Sequence, residues 1–266
     1  MNFFFFGSAD RQLFGAYHAS RPSVPERGAA VLCPPWGPEY IASHRVLRRL
    51  ALMLSESGYH VLRFDYFGTG DSAGSREEGD LDSWYADASA AVDELRDMSG
   101  VSKVTVFGIR LGAHVAWRLA LNRSDVSAVV MWDPVIDGTE YVRELVDAQQ
   151  EIDRWSLVPD DTRSVMMDSS RNETIDLLGF PLTVAMRRTI EMITIDSYTL
   201  RTNARALLFF STVAPDEAAL RTVLSTAGTH AAFETMIGQT PWRDDDPAGG
   251  GQLPFPLLTR MVEMVS

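Results

Sequence analysis

The stretch Val104–Ala120, VTVFGIRLGAHVAWRLA, decides the fold. Its first four residues are β-branched or apolar, as a strand buried in a parallel sheet requires. From Leu111 onward, Ala113, Ala116, Trp117 and Ala120 recur at helical spacing. Between strand and helix stands Gly108-Ile109-Arg110-Leu111-Gly112. This is the frame of the G-x-S-x-G nucleophile elbow, a sharp turn that lifts one side chain to the top of a sheet. The two glycines allow the tight turn and the close approach of helix to strand. The central residue of such a turn is ordinarily Ser, sometimes Cys or Asp, and here it is Arg110. A guanidinium stays protonated and has no lone pair with which to attack. The most function-bearing position of the motif therefore argues against ordinary ester hydrolysis.

The same alternation of strand and helix extends outward. Residues 3–6 and 12–18 read as a hairpin about Gly7-Ser8-Ala9-Asp10, and 29–33 as a buried strand. Pro34, Pro35 and Pro38 assign the following residues to a loop, and 44–57 to an amphipathic helix closed by Gly58. Then come a strand at 60–65, a glycine-rich loop, a helix at 82–98 and, beyond the elbow helix, a strand at 127–132. The pattern resumes with a strand at 205–210, a helix at 215–226, a strand at 229–237, a glycine-rich loop expected to be mobile, and a helix at 254–265. Between them, about 134–202, lies a mostly helical, Met-rich block that reads as a lid over the carboxyl ends of the strands. The expectation is one α/β domain over residues 1–266: a mostly parallel sheet, helices on both faces, and a helical lid insertion.

Composition narrows the function. With 45% hydrophobic and 23% charged residues the chain carries a full core. A net charge of −12 speaks against nucleic acid and against a polybasic membrane anchor. The single cysteine, Cys33, fits a reducing, cytoplasmic compartment. The opening MNFFFF lacks a basic n-region and reads as an edge strand rather than a signal peptide. Such an apolar edge invites cover by a second copy, so a homodimer is the one protein partner expected. No stretch reaches transmembrane length.

Pro34–Arg45 (PPWGPEYIASHR), Gly58–Gly74 (GYHVLRFDYFGTGDSAG) and Val104–Ala113, with a weaker stretch at Leu178–Met192, carry a resemblance to the α/β-hydrolase superfamily. Within it the chain is most similar to the hydrolase-like proteins associated with the exosortase A system and their relatives near natural-product gene clusters. The resemblance implies a triad in the order nucleophile, acid, base. The nucleophile position is Arg110. The acid position falls near Asp216, which is also placed to cap the helix that follows. The base belongs after the last strand, where Gly238–Trp242 offers no histidine. His230 would serve only if Gly228-Thr229-His230 were the turn at the strand's end rather than its start.

The oxyanion hole is better kept. Its donors would be the Leu111 amide and an amide of Trp36 or Gly37, since Pro34 and Pro35 have none. Glu39, Asp133 and Trp242 complete the substrate-binding candidates, and no metal or cofactor is expected, because no histidines stand at ligand spacing. Two readings follow. In one, Arg110 and the Leu111 amide make a positive elbow that holds the carboxylate or oxyanion of an acyl or peptide intermediate for non-hydrolytic chemistry such as epimerisation, isomerisation or cyclisation. Met166, Met167, Met186 and Met192, with Trp132 and Trp155, would line its pocket. In the other, Arg110 pairs internally with Glu39, Asp133 or Asp216 and the protein is a non-catalytic scaffold. A third option, a hydrolase or thioesterase, would use His230 and Asp216 to activate water directly.

Overall fold

The computed structural model describes residues 1–155, 174–212, 217–237, 240–242 and 253–266. Ten strands are described. They are β1 (Asn2–Ser8), β2 (Arg11–His18), β3 (Gly28–Cys33), β4 (Tyr59–Phe64), β5 (Val104–Ile109), β6 (Val126–Trp132), β7 (Ile175–Leu177), β8 (Phe180–Leu182), β9 (Arg205–Phe210) and β10 (Ala231–Thr235). The helices are α1 (Gly37–Glu56), α2 (Leu81–Ser99), α3 (Leu111–Asn122), α4 (Gly138–Trp155), α5 (Val184–Glu191), α6 (Glu217–Thr226) and α7 (Phe255–Val265). Eight strands form one sheet in the order β1-β2-β4-β3-β5-β6-β9-β10. β1 and β2 pair antiparallel, as do β2 and β4, and every other neighbour is parallel. Parallel neighbours need crossovers, which α1, α2, α3 and α6 supply.

Both faces are covered, so alternate residues of one strand enter different cores. Val104 and Val106 of β5 join a cluster with Trp84 and Trp117 under α2 and α3. Phe107 and Ile109 join a second cluster with Leu50, Leu54, Leu258 and Met261 under α1 and α7.

One element boundary is corrected. α1 starts at Gly37, not at 44, with Pro38 in its first turn. There a helix has no use for the missing N–H, so the proline that argued for a loop opens the helix instead. The segment between β6 and β9 is mostly helical where it is described, with one short two-stranded element. β7 and β8 form a small hairpin, with Ile175 opposite Leu182, turned by Leu178 and Gly179 in the left-handed region. Met186 is buried and Met192 is exposed, so these two do not share one pocket wall. Met166, Met167, Asp216 and the Trp155 side chain lie outside the described residues, as does most of the glycine-rich loop.

Two histidines are built in uncharged. His18 and His114 are both buried, and burial, reinforced by Arg63 and Arg118 respectively, holds each at about 4. His114 Nδ1 has no hydrogen-bond partner among the described residues. The unfolded chain binds these protons near 6.5 and the folded chain only near 4, so their contribution to stability falls as pH drops through that window. His114→Leu is therefore expected to be close to neutral at pH 7 and to flatten the loss between pH 6.5 and 4. Urea midpoints measured across that range decide this, and an unchanged slope would show that His114 titrates normally.

Candidate functional site at the elbow

Arg110 caps α3 with φ 52° and ψ −117°. A non-glycine residue held there costs about 1–3 kcal/mol and persists only where its surroundings fix it. They do so on both sides: Arg110 N donates to the Trp132 carbonyl at 3.0 Å, and the Arg110 carbonyl accepts from Ala113 N at 3.0 Å. The glycines are required by close approach. A Cβ on Gly108 would lie 2.2 Å from the Gly112 carbonyl oxygen. One on Gly112 would lie 2.3 Å from the Cys33 oxygen and 2.4 Å from the Pro34 oxygen. The start of α3 is thus pressed against the loop between β3 and α1. Leu111 is its first residue, whose amide no intrahelical bond uses.

The Arg110 side chain is 11% exposed and reaches two carboxylates. Its Nε donates to Glu39 Oε1 at 2.8 Å, and its Nη2 to Glu144 Oε2 at 2.9 Å. Glu39 comes from the first turn of α1 and is buried; Glu144 comes from α4 and is 42% exposed. Tyr141, one turn before Glu144, donates its hydroxyl to Glu39 Oε2 at 2.8 Å and sets its ring 5.1 Å from the guanidinium. Burial opposes the charge on Arg110, and Glu39, Tyr141 and Glu144 more than offset it, so the guanidinium is held above its usual range. Burial and Glu39 push the Tyr141 hydroxyl well above 10, which keeps it a donor. One guanidinium thus faces two carboxyl groups. Arg110 is paired with carboxylates of its own chain, and one of them, Glu39, is a partner that the scaffold reading names.

The remaining candidates fall into place around it. Trp36 is the N-cap of α1 and packs edge-on against Phe180 of β8, with ring centres 6.1 Å apart. Gly37 has φ 61° and its absent side chain faces Phe180. Both line a cavity of about 110 Å³ with Tyr40, Thr69, Arg76 and Phe180. Asp133, at φ 42°, accepts the Ser211 amide on Oδ1 at 2.8 Å and so ties the end of β6 to the end of β9. Trp242 packs edge-on against Trp132, ring centres 4.8 Å apart, in the α1–α7 core. Asp65 accepts from the Tyr40 hydroxyl and from the Asp71 amide.

His230 is not brought to the elbow. It is exposed, and its carbonyl accepts from Ala206 N at 2.9 Å at the start of β9. The elbow lies beside the other end, where Ile109 pairs with Trp132 and Trp132 with Phe209. The difference is roughly 15 Å along the strand. No histidine follows β10 in the sequence. Glu144 and Tyr141 are the residues that sequence reasoning missed. Among the described residues no group of three His, Cys, Asp or Glu side chains fits a metal ion, and no helix is long and apolar enough to cross a membrane.

Known proteins share this architecture. The chain is 42% identical over 76 residues to the lysophosphatidylserine lipase ABHD12 of Xenopus tropicalis, covering 29% of this chain and 18% of that one. It is 27% identical over 127 residues to the mitochondrial palmitoyl-protein thioesterase ABHD10 of Bos taurus, covering 46% of this chain and 40% of that one. It thus spans less than half the length of these curated relatives. A monoacylglycerol lipase structure from Paleococcus ferrophilus superposes with a TM-score of 0.63 at 20% identity, over 95% of this chain and 98% of that one, which establishes the α/β-hydrolase fold. The Hydrolase_4 model, serine aminopeptidase S33, matches residues 40–173, a span that includes Glu39's neighbour Tyr40, the elbow and Glu144. By that match over half its length the chain belongs to the Hydrolase_4 (serine aminopeptidase S33) family of α/β-hydrolases.

Proposed function

We propose that this protein binds a carboxylate-bearing acyl or peptide ligand at Arg110 and does not form an acyl-enzyme there. The observation that carries the reading is the inequality of the two carboxylates on one guanidinium. Glu39 is buried and held a second time by Tyr141, so separating it from Arg110 would cost about 3–5 kcal/mol. Glu144 is half-exposed, so solvent screens its pair with Arg110 and that pair contributes less than the buried one with Glu39. A ligand carboxylate exchanges for the second and leaves the first in place. Glu144 is then a stand-in for the ligand, carried by the segment that follows β6, and displacing it uncovers the elbow. The acyl class is supported by the names of the relatives, a lipase and a thioesterase. The peptide class and non-hydrolytic chemistry, of the epimerase, isomerase or cyclase type, rest on the likeness to natural-product-associated proteins. Elbow geometry supports the non-hydrolytic part, because a guanidinium stands in the nucleophile's place and His230 stands at the wrong end of the sheet.

N-octanoylglycine is a suitable probe, titrated by calorimetry beside its methyl ester. Glu144→Gln is expected to tighten binding about threefold to fivefold, the equivalent of roughly 1 kcal/mol. Loss of the carboxylate should abolish the gain. Equal affinity of wild type and variant would leave the scaffold reading, with a permanently plugged elbow, as the correct one. No turnover of aryl esters or acyl thioesters is expected from the wild type or from Arg110→Ser, since no base is supplied. Turnover lost in His230→Ala would restore the hydrolase reading.

A further inference from the structure

A second cavity, mostly apolar with a few charged side chains, lies between α1 and the antiparallel edge of the sheet. Its volume is about 650 Å³, within the range of small-molecule sites. The floor is a row of paired residues crossing four strands: Phe3, Ala16, Arg63 and Leu32. The roof is one face of α1, with Tyr40, His44, Leu47 and Arg48 at spacings of four, three and one. The space exists because Ala16 is small where its row neighbours are large, and because α1 is seated over β4 rather than over β2.

Two arginines, Arg48 and Arg63, and two aspartates, Asp65 and Asp71, line this cavity. Arg63 is half-buried, yet among the described residues no carboxylate stands within ion-pairing distance of it or of Arg48. Among the described residues the Arg63 side chain makes one hydrogen bond, a long one from Nε to His18 Nε2 at 3.4 Å. Asp65, itself part of the cavity wall, acts on Arg63 through space, while its oxygens are engaged by the Tyr40 hydroxyl at 2.7 Å and the Asp71 amide at 3.0 Å. Burial lowers His44, and Arg63 lowers it further, so the imidazole adds a neutral donor rather than a third cation. Burial also depresses Arg63 itself, with Asp65 opposing that shift. A half-buried guanidinium that no carboxylate bonds directly keeps donors available to an oxyanion.

We infer that this cavity is a binding site for a small organic oxyanion, a carboxylate or phosphate head on an apolar body, held by Arg63 and Arg48 with the body against Phe3, Phe14 and Leu47. It is separate from the elbow and does not depend on the reading of Arg110. The head meets the two guanidiniums, which are forked donors suited to planar oxyanions. The body replaces water on the aromatic hairpin, where Phe3 is 60% exposed and stacks on Phe14 with ring centres 5.7 Å apart.

The test uses the whole chain with 1-naphthoate and phenyl phosphate as the two heads and 1-naphthamide as the uncharged control, followed by the histidine ring signals in NMR. Both anions, or one of them, should move the His44 signal and raise its titration midpoint, because an anion offsets the Arg63 charge. The amide should bind at least about tenfold more weakly. Arg48→Gln, a surface change that leaves folding intact, should weaken anion binding about fivefold, and Arg63→Gln more. Glu144→Gln should leave the His44 response where it was, which separates this site from the elbow. Equal binding of amide and acid, or an anion response unchanged by Arg48→Gln and absent from His44, overturns the inference. Preference for phenyl phosphate over naphthoate identifies the head as phosphate, and the reverse as carboxylate.

Discussion

Gly112→Ala is expected to destabilise the protein by about 3 kcal/mol or more and to lower its melting temperature by roughly 6–12 °C. The new Cβ would stand 2.3 Å from the Cys33 oxygen and 2.4 Å from the Pro34 oxygen. Both are backbone atoms, and Cys33 is held in β3 by its pairing with β5. Neither moves without shifting the strand beside the elbow. Relief must come from α3 backing away, which would also pull Arg110 from Glu39. Gly100→Ala is the control. Gly100 has φ 73° as the cap of α2, and nothing lies within 4 Å of its absent side chain. It should lose only about 1 kcal/mol, the strain of a left-handed alanine. Thermal unfolding of the two variants measures the difference. Similar losses would mean that contact at the elbow is not what requires the glycine.

That contrast bears on what could be read from residues alone. The strands of the sheet were legible because burial on both faces leaves them as apolar runs, and the elbow because two glycines four residues apart flank a strand-to-helix junction. The start of α1 was not, since a proline serves a loop and a first helical turn equally and only its position relative to the cap decides. Glu39 was legible as a neighbour of the oxyanion loop. Glu144 and Tyr141 were not. They sit one turn apart on α4, as any amphipathic helix would place them, and their meeting with Glu39 depends on how the chain after β6 folds back. For His230 the question was which end of β10 it marks. The strand starts at Ala231 and pairs with Ala206, so His230 lies at the far end from Arg110. The Arg63 cavity was invisible for another reason: it arises from a small residue in one strand beside large ones in its neighbours, which only the register reveals.

The largest effect expected at the elbow comes from removing one member of the Arg110–Glu39 pair. Glu39→Met should cost about 3–5 kcal/mol, because it leaves a guanidinium with little access to water held only by the half-exposed Glu144. Screening by solvent discounts this little, since the two side chains are 11% and 8% exposed. Arg110→Met should cost less. The carboxylate it leaves keeps the Tyr141 hydroxyl and can take up a proton, which the guanidinium cannot lose. Changing both to Met removes the charges together, and an apolar pair is tolerated where an unpaired charge is not, so the double variant should recover most of the loss. The expected coupling is about 2 kcal/mol or more, well outside the few tenths seen for independent sites. Urea unfolding of the four proteins yields it directly. Glu144→Gln, measured beside them, should move stability by less than about 1 kcal/mol. A large coupling with a small Glu144 effect describes a guanidinium anchored on one side and exchangeable on the other, as ligand capture at the elbow requires. Additive losses for Arg110 and Glu39 would mean that the two do not act as a unit, and the exchange of Glu144 for a ligand would lose its anchor.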